Sequence, residues 1–310
     1  MKLPPLLRAL RPLQWTKNLV IAGPLVFVPQ AWSDPDAWLR TIGVIAAFCA
    51  LASGTYLLND LRDREADQHH PKKRNRPIAS GQITSTTAIG MMVLLWIVGL
   101  GALAFIDRLP PLALAEPDQP AALVWIGLGY LAITLAYSLV LKHIPILDVI
   151  LVALGFVMRA VAGGGALRVH VSPWLLMCTF LLMLMIALGK RRWEASTLEY
   201  AAKHRASLGD YDLSLIDQLL SMTAAMTVMA YTLYTFLGYQ PLNGLGSNRA
   251  WLMLTIPNVL YGVARYLALI HVAGQGGEPE EVILRDRATL INIGVWILLS
   301  ASILWATGSS

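Results

Sequence analysis

Between two long apolar runs, residues 57–77 read LLNDLRDREADQHHPKKRNRP. Asp60, Asp63, Glu65 and Asp67 crowd four carboxylates into eight residues, among and before Arg62, Arg64, Lys72, Lys73, Arg74 and Arg76. On a helix at 100° per residue, Asp60, Asp63 and Asp67 fall within an arc of roughly 60°, while Glu65 points away. Like charges on one stripe repel, and helix propensity gives no reason for the arrangement. A divalent cation would relieve it. Mg²⁺ suits best, because it is held by one or two carboxylates, waters and substrate phosphates. Asn59 adds a neutral oxygen at the membrane end of the stripe. Lys73, Arg74 and Arg76 can cover phosphate oxygens that the metal leaves bare. An acid stripe beside a basic run is what a magnesium-bound diphosphate requires. The competing reading is a solvated loop whose acids pair with Arg62, Arg64 and the basic run. The regular spacing and the place at the end of an apolar run argue against it.

A second cluster, LGKRRWEASTLEY, sets Lys190, Arg191 and Arg192 ahead of Glu194 and Glu199. Such a triplet at the end of a span is also ordinary membrane topology. Lys190, Arg191 and Glu194 are read as a wall facing the first cluster, and Arg192 is left open between the two uses. Asp148, Arg159 and Arg265 fall inside apolar runs, where charge is costly and usually faces a cavity or a partner. Asp148 and Arg159 are eleven residues apart, about 16 Å along a helix on nearly the same face, so they could line one cavity without touching. The six histidines are scattered and show no metal-ligand spacing.

These clusters hang on apolar elements. The chain has 310 residues, is 56% hydrophobic and 14% charged, and has a mean hydropathy of +0.58, whereas a soluble domain carries about a quarter charged residues. Apolar length predicts an all-α polytopic membrane protein, one domain over 1–310, with nine spans near 18–32, 37–58, 83–106, 121–141, 144–166, 172–189, 214–238, 250–271 and 288–308. Pro24 and Pro29 make the first span the weakest. Eighteen Lys and Arg residues fall on one side and four on the other, which predicts a cytoplasmic N-terminus and an outer C-terminus. The net charge of +5 belongs to topology, and no nucleic-acid partner is expected. No cleavable signal peptide is read. Cys49 and Cys178 lie in apolar runs and read as buried thiols without a disulfide. Spans two and six hold corresponding places in successive four-helix groups, a hint of duplication.

NDLRDREAD resembles the N-D-x-x-D-x-x-x-D motif of the UbiA superfamily of intramembrane prenyltransferases. RPLQWTKN (11–18), HPKKRNRPIASG (70–81), YSLVLKHIPILDVILVALGFVMRAVAGG (137–164), GKRRWE (189–194) and GEPEEVILRDR (277–287) occur in that order along the chain. Together they look like the branch of decaprenyl-phosphate phosphoribosyltransferases, which act in arabinan precursor synthesis for actinobacterial cell walls. The resemblance implies nine helices around a central cavity in the cytoplasmic membrane, with Mg²⁺ and a diphosphate at the cytoplasmic side. It also implies transfer of 5-phosphoribose from phosphoribosyl pyrophosphate to a polyprenyl phosphate. It assigns Asp60, Asp63 and Asp67 to metal and catalysis. Asn59, Gln14, Lys17, Asn18, Lys73, Arg74, Arg76, Tyr137, Lys142, Arg159, Lys190, Arg191 and Glu194 are assigned to substrate.

The chain departs from the aromatic prenyltransferases of the superfamily in one respect. Their second motif, D-x-x-x-D, is missing after span six, where Lys190, Arg191 and Glu194 stand, with Asp210 and Asp212 further on. Extra cations suit a donor with more phosphate. The acceptor phosphate is itself a nucleophile, so no strong base is needed. Two alternatives remain: prenyl transfer from a polyprenyl diphosphate to an aromatic acceptor, and a non-enzymatic transporter built on broken spans. Assembly into a homo-oligomer is left open.

Overall fold

Every regular element among the described residues is helical; the computed structural model describes residues 4–71, 73–196, 212–237, 248–271 and 285–308. Seven helices are long and apolar enough to cross a membrane, and an eighth apolar helix, Leu123–Leu139, is shorter. After α1 (Pro5–Leu10), the expected first span is not one membrane-length α-helix. Pro12–Ala22 is a 3₁₀ stretch, then come α2 (Gly23–Val26) and a 3₁₀ turn at Pro29–Ala31. Helical backbone continues from Ala22 through Gly23 into α2, which takes Pro24 in its first turn, where no N–H is needed. The helical path is left at Val28 (φ −119°, ψ 87°), just before Pro29.

The other eight expected spans are helices: α3 (Pro35–Arg62), α5 (Ser85–Asp107), α6 (Leu123–Leu139), α7 (Leu147–Leu167), α8 (Pro173–Ser196), α9 (Leu213–Leu237), α10 (Ile256–His271) and α11 (Arg287–Gly308). The short α4 (Arg64–His69) follows α3. Local chemistry sets the starts. Asp34 accepts from Asp36 N at 2.9 Å ahead of Pro35, and Thr84 accepts from Thr87 N at 3.2 Å. Both satisfy N–H groups that a helix leaves unpaired. For α6 the acceptor comes from α5: the Asp107 carboxylate takes Leu123 N and Val124 N, each at 3.1 Å.

The chain forms two compact units, Met1–Ser138 with Met158–His170, and Leu139–Val157 with Val171–Ser310. The first is centred on α3, whose Val44, Phe48 and Leu51 pack with Ile21, Leu103 and Leu123. In lipid, helices associate through close packing rather than the hydrophobic effect, so small residues sit at crossings. Gly163 on α7 shows why: a Cβ there would stand 2.1 Å from the carbonyl oxygen of Ile21. The second unit gathers Met185, Leu188, Ile216, Leu220 and Tyr266 around Val149. Gly189 lets the Tyr266 hydroxyl lie against the end of α8, where a Cβ would come within 2.3 Å of it.

Candidate active site

α3 gives way to α4 at Asp63 (φ −88°, ψ 8°). The helical bonding runs through the joint, with Asp63 N donating to Asn59 O at 2.9 Å and Asp67 N to Asp63 O at 2.8 Å. The face drawn from 3.6-residue periodicity therefore survives the break. Asp60 and Asp67, two turns apart, are 2% and 3% exposed. Asn59 and Asp63 are half-buried, and Glu65 faces out.

The two buried carboxylates converge on one nitrogen. Arg76 Nη1 lies 3.0 Å from Asp60 Oδ1 and 2.6 Å from Asp67 Oδ2. The loop that delivers Arg76 is tied back to α4: Lys73 N donates to His70 Nδ1 at 3.2 Å, and Gln68 donates to Ala79 O at 3.2 Å. Lys73 is half-buried beside it and Arg74 is exposed. Arg62 and Arg64 turn elsewhere, to Ser138 O at 2.6 Å and Ser85 Oγ at 3.1 Å. A second guanidinium does reach the acids. Arg11 donates to Asp60 Oδ1 and lies over the Tyr56 ring, 5.1 Å from its centroid. Sequence reasoning missed Arg11 and Tyr56; the available signal was that Arg11 opens the RPLQWTKN motif.

Two hard oxygen donors drawn to a shared cation are the kind of set Mg²⁺ takes, so a divalent cation fits Asp60 and Asp67. Three ligand atoms within 4.8 Å of one another occur, among the described residues, at Glu116, Asp118 and His170; the aspartate stripe contributes a close pair.

Asn18 is fully buried, at 0% exposure. It accepts from Arg159 Nε at 2.7 Å and donates to Cys49 Sγ at 3.1 Å, and Arg159 also donates to the Tyr130 hydroxyl at 2.9 Å. Two expected substrate residues are thus brought together as a polar brace between the 3₁₀ stretch and α7. Gln14 and Lys17 are half-buried on the same stretch, as is Tyr137 on α6. The two cysteines are free thiols.

In the second unit Arg191 Nε meets Asp148 at 2.8 Å, and Arg191 also pairs with Glu194. Asp148 and Arg159 therefore answer to different partners in different units. Arg192 pairs with Asp217 at 2.6 Å. Lys190 and Lys142 are half-buried. Arg265 pairs with Asp286, at 3.1 and 2.7 Å. The Arg265 hydrogen bond first, and then those from Thr289, hold the Asp286 carboxyl well below the usual carboxylate range. Lys72, Glu199, Lys203, Arg205, Asp210 and most of GEPEEVILRDR lie outside the described residues.

The model of the UbiA prenyltransferase family matches residues 19–192. The chain belongs to this family. The UbiA chain is 35% identical to "Decaprenyl-phosphate phosphoribosyltransferase" of Corynebacterium glutamicum, over 94% of its own length and 84% of that protein. It is 34% identical to the protein of that name in Mycolicibacterium smegmatis, over 94% and 90%. Among solved structures, a UbiA homolog from Archaeoglobus fulgidus bound to GPP and Mg²⁺ superimposes with a TM-score of 0.68 at 19% identity, covering 98% of this chain and 99% of that one. That likeness establishes the UbiA fold. The chain is an integral membrane enzyme of the transferase class.

Proposed function

We propose that this UbiA enzyme transfers 5-phosphoribose from phosphoribosyl pyrophosphate to a polyprenyl phosphate of the decaprenyl type and releases diphosphate. The observation that carries the reading is the convergence of Asp60 and Asp67 on a shared cation at the end of a membrane-length helix. Similarity over 94% of the chain to relatives named for this transfer supports the choice of ribose. An acceptor phosphate oxygen attacks the anomeric carbon, the bond from that carbon to the diphosphate breaks, and the leaving group keeps the electron pair. The nucleophile is already anionic, so no side chain has to take its proton.

Mg²⁺ held by Asp60 and Asp67, with Asp63 and Asn59 beside them, would neutralise charge growing on the leaving diphosphate. Lys73, Arg74 and Arg76 bind the oxygens left over. Gln14 and Lys17 contact phosphate from the N-terminal stretch, while Asn18 and Arg159 hold the walls of the first unit in place. In the second unit Arg191 orders the end of α8 through Asp148 and Glu194, and Lys190, Lys142 and, in the first unit, Tyr137 are further substrate contacts. The Lys and Arg asymmetry supports a cytoplasmic N-terminus and a site at the cytoplasmic face of the membrane. The product would feed synthesis of cell-wall arabinan.

Two substrate pairs test this with purified protein and Mg²⁺. Phosphoribosyl pyrophosphate with polyprenyl phosphate is expected to yield a lipid-linked phosphoribose. Transfer only from polyprenyl diphosphate to an aromatic acid would contradict the proposal.

A further inference from the structure

Asp60 Oδ1 accepts from two guanidiniums, those of Arg11 and Arg76. Two carboxylates, Asp60 and Asp67, face two arginines, so the pair is already neutralised. A free divalent cation entering there must displace charge-assisted hydrogen bonds and leaves surplus positive charge behind. A cation that arrives with a diphosphate meets no such penalty, because the acids take the metal and the released guanidiniums take the anion. The diphosphate carries more negative charge than two guanidiniums neutralise, and Lys73 and Arg74 on the adjacent loop cover the rest.

Arg11 is placed for that exchange. Its side chain is 28% exposed whereas Asp60 is 2% exposed, so Arg11 lies on the open side of a buried carboxylate. The segment that carries it is tied to α3: Ser53 Oγ donates to Leu10 O and accepts from the Trp15 side-chain Nε1, both at 3.0 Å. The Tyr56 ring under the guanidinium keeps it near the site after it leaves Asp60. Arg76 differs, since it ties both carboxylates together. We propose that Arg11 is a specificity-determining residue that makes the acid pair select a divalent cation bound to diphosphate over the free cation. This rests on reading the acid pair as the diphosphate site.

The test is calorimetry of the full chain in detergent, stripped of metal by chelation, titrated with Mn²⁺ alone and with preformed Mn²⁺–inorganic diphosphate. Wild type should prefer the complex. Arg11→Gln should bind Mn²⁺ alone about tenfold more tightly, the scale of one lost competing charge-assisted bond, and the complex less tightly. These opposite signs would not come from a structural defect, which weakens both. Arg11→Lys keeps the charge and should keep the wild-type ratio. Unchanged affinities in Arg11→Gln, while Asp60→Asn abolishes binding, would overturn the role of Arg11 and leave the acid site standing. If Arg11→Gln loses both ligands, Arg11→Lys decides: the wild-type ratio supports the proposal and its collapse overturns it. Wild type that binds neither ligand would remove the acid site and the proposal together.

Discussion

Removing Arg76 should destabilise the fold, and a divalent cation should restore it. In Arg76→Ala, Asp60 keeps Arg11, while Asp67, 3% exposed, loses its Arg76 ion pair. Breaking a buried pair by deleting one partner costs about 3–5 kcal/mol. Arg76 is 27% exposed, so water reaches the pair and the lower end, about 3 kcal/mol, applies. Two carboxylates that lose their shared guanidinium also become a better cation site. Ligand present at a hundred times its dissociation constant returns about 2.7 kcal/mol, enough to offset most of the loss. Chemical unfolding in mixed micelles, followed by tryptophan fluorescence with chelator or with Mg²⁺, measures both effects. A variant within about 0.5 kcal/mol of wild type, the usual span for an uninvolved surface position, would show that Arg76 does not hold the acid pair, as would a loss that Mg²⁺ leaves untouched.

Three further outcomes follow from particular contacts. Arg11 has φ 53°, a left-handed conformation that costs a side-chain-bearing residue about 1–2 kcal/mol; Arg11→Gly should therefore be more stable than Arg11→Ala by about 1 kcal/mol, and equal unfolding midpoints would contradict this. Gly163→Ala puts a Cβ 2.1 Å from Ile21 O, so the 3₁₀ stretch must shift at about 1–3 kcal/mol, and an unchanged unfolding midpoint would show that the crossing yields freely. Asp286 has its pKa depressed by Arg265 and Thr289, so its stabilisation is present above the unfolded value of about 3.9 and fades as pH falls below it. Asp286→Asn should flatten that acid limb, and a limb as steep as wild type would assign it to other groups.

Helix positions were legible in the sequence because apolar length alone marks them, and α3, α5 and α7 through α11 lie where the runs predict. The first span was half legible: Pro24 and Pro29 marked it as the weakest, but apolar content does not tell a 3₁₀ stretch from an α-helix, and Pro12–Ala22 is 3₁₀. The acid face was legible for a different reason: a spacing of seven returns to the same side of a helix, and the bonds across Asp63 preserve it. Its arginine partners were only half legible. Arg76 lies in the adjacent loop, whereas Arg11 is 49 residues from Asp60 and looks like any interfacial cation. Asn18 and Arg159, 141 residues apart, show the same limit. Periodicity reports which face a residue takes, and the partner on that face comes from packing. Arg191 was expected at a phosphate and is held by Asp148, a residue whose charge inside a span had already asked for a partner.

The most direct test of the central claim measures diphosphate release from phosphoribosyl pyrophosphate in the presence of polyprenyl phosphate and Mg²⁺. Wild type is compared with Asp60→Asn and Asp67→Asn, each checked for folding by its unfolding midpoint. Wild type should release diphosphate only with acceptor present, and both folded variants should lose at least about a hundredfold, the scale of one electrostatic contact to a developing anion. Release at near wild-type rates by either folded variant would contradict this role of the two carboxylates.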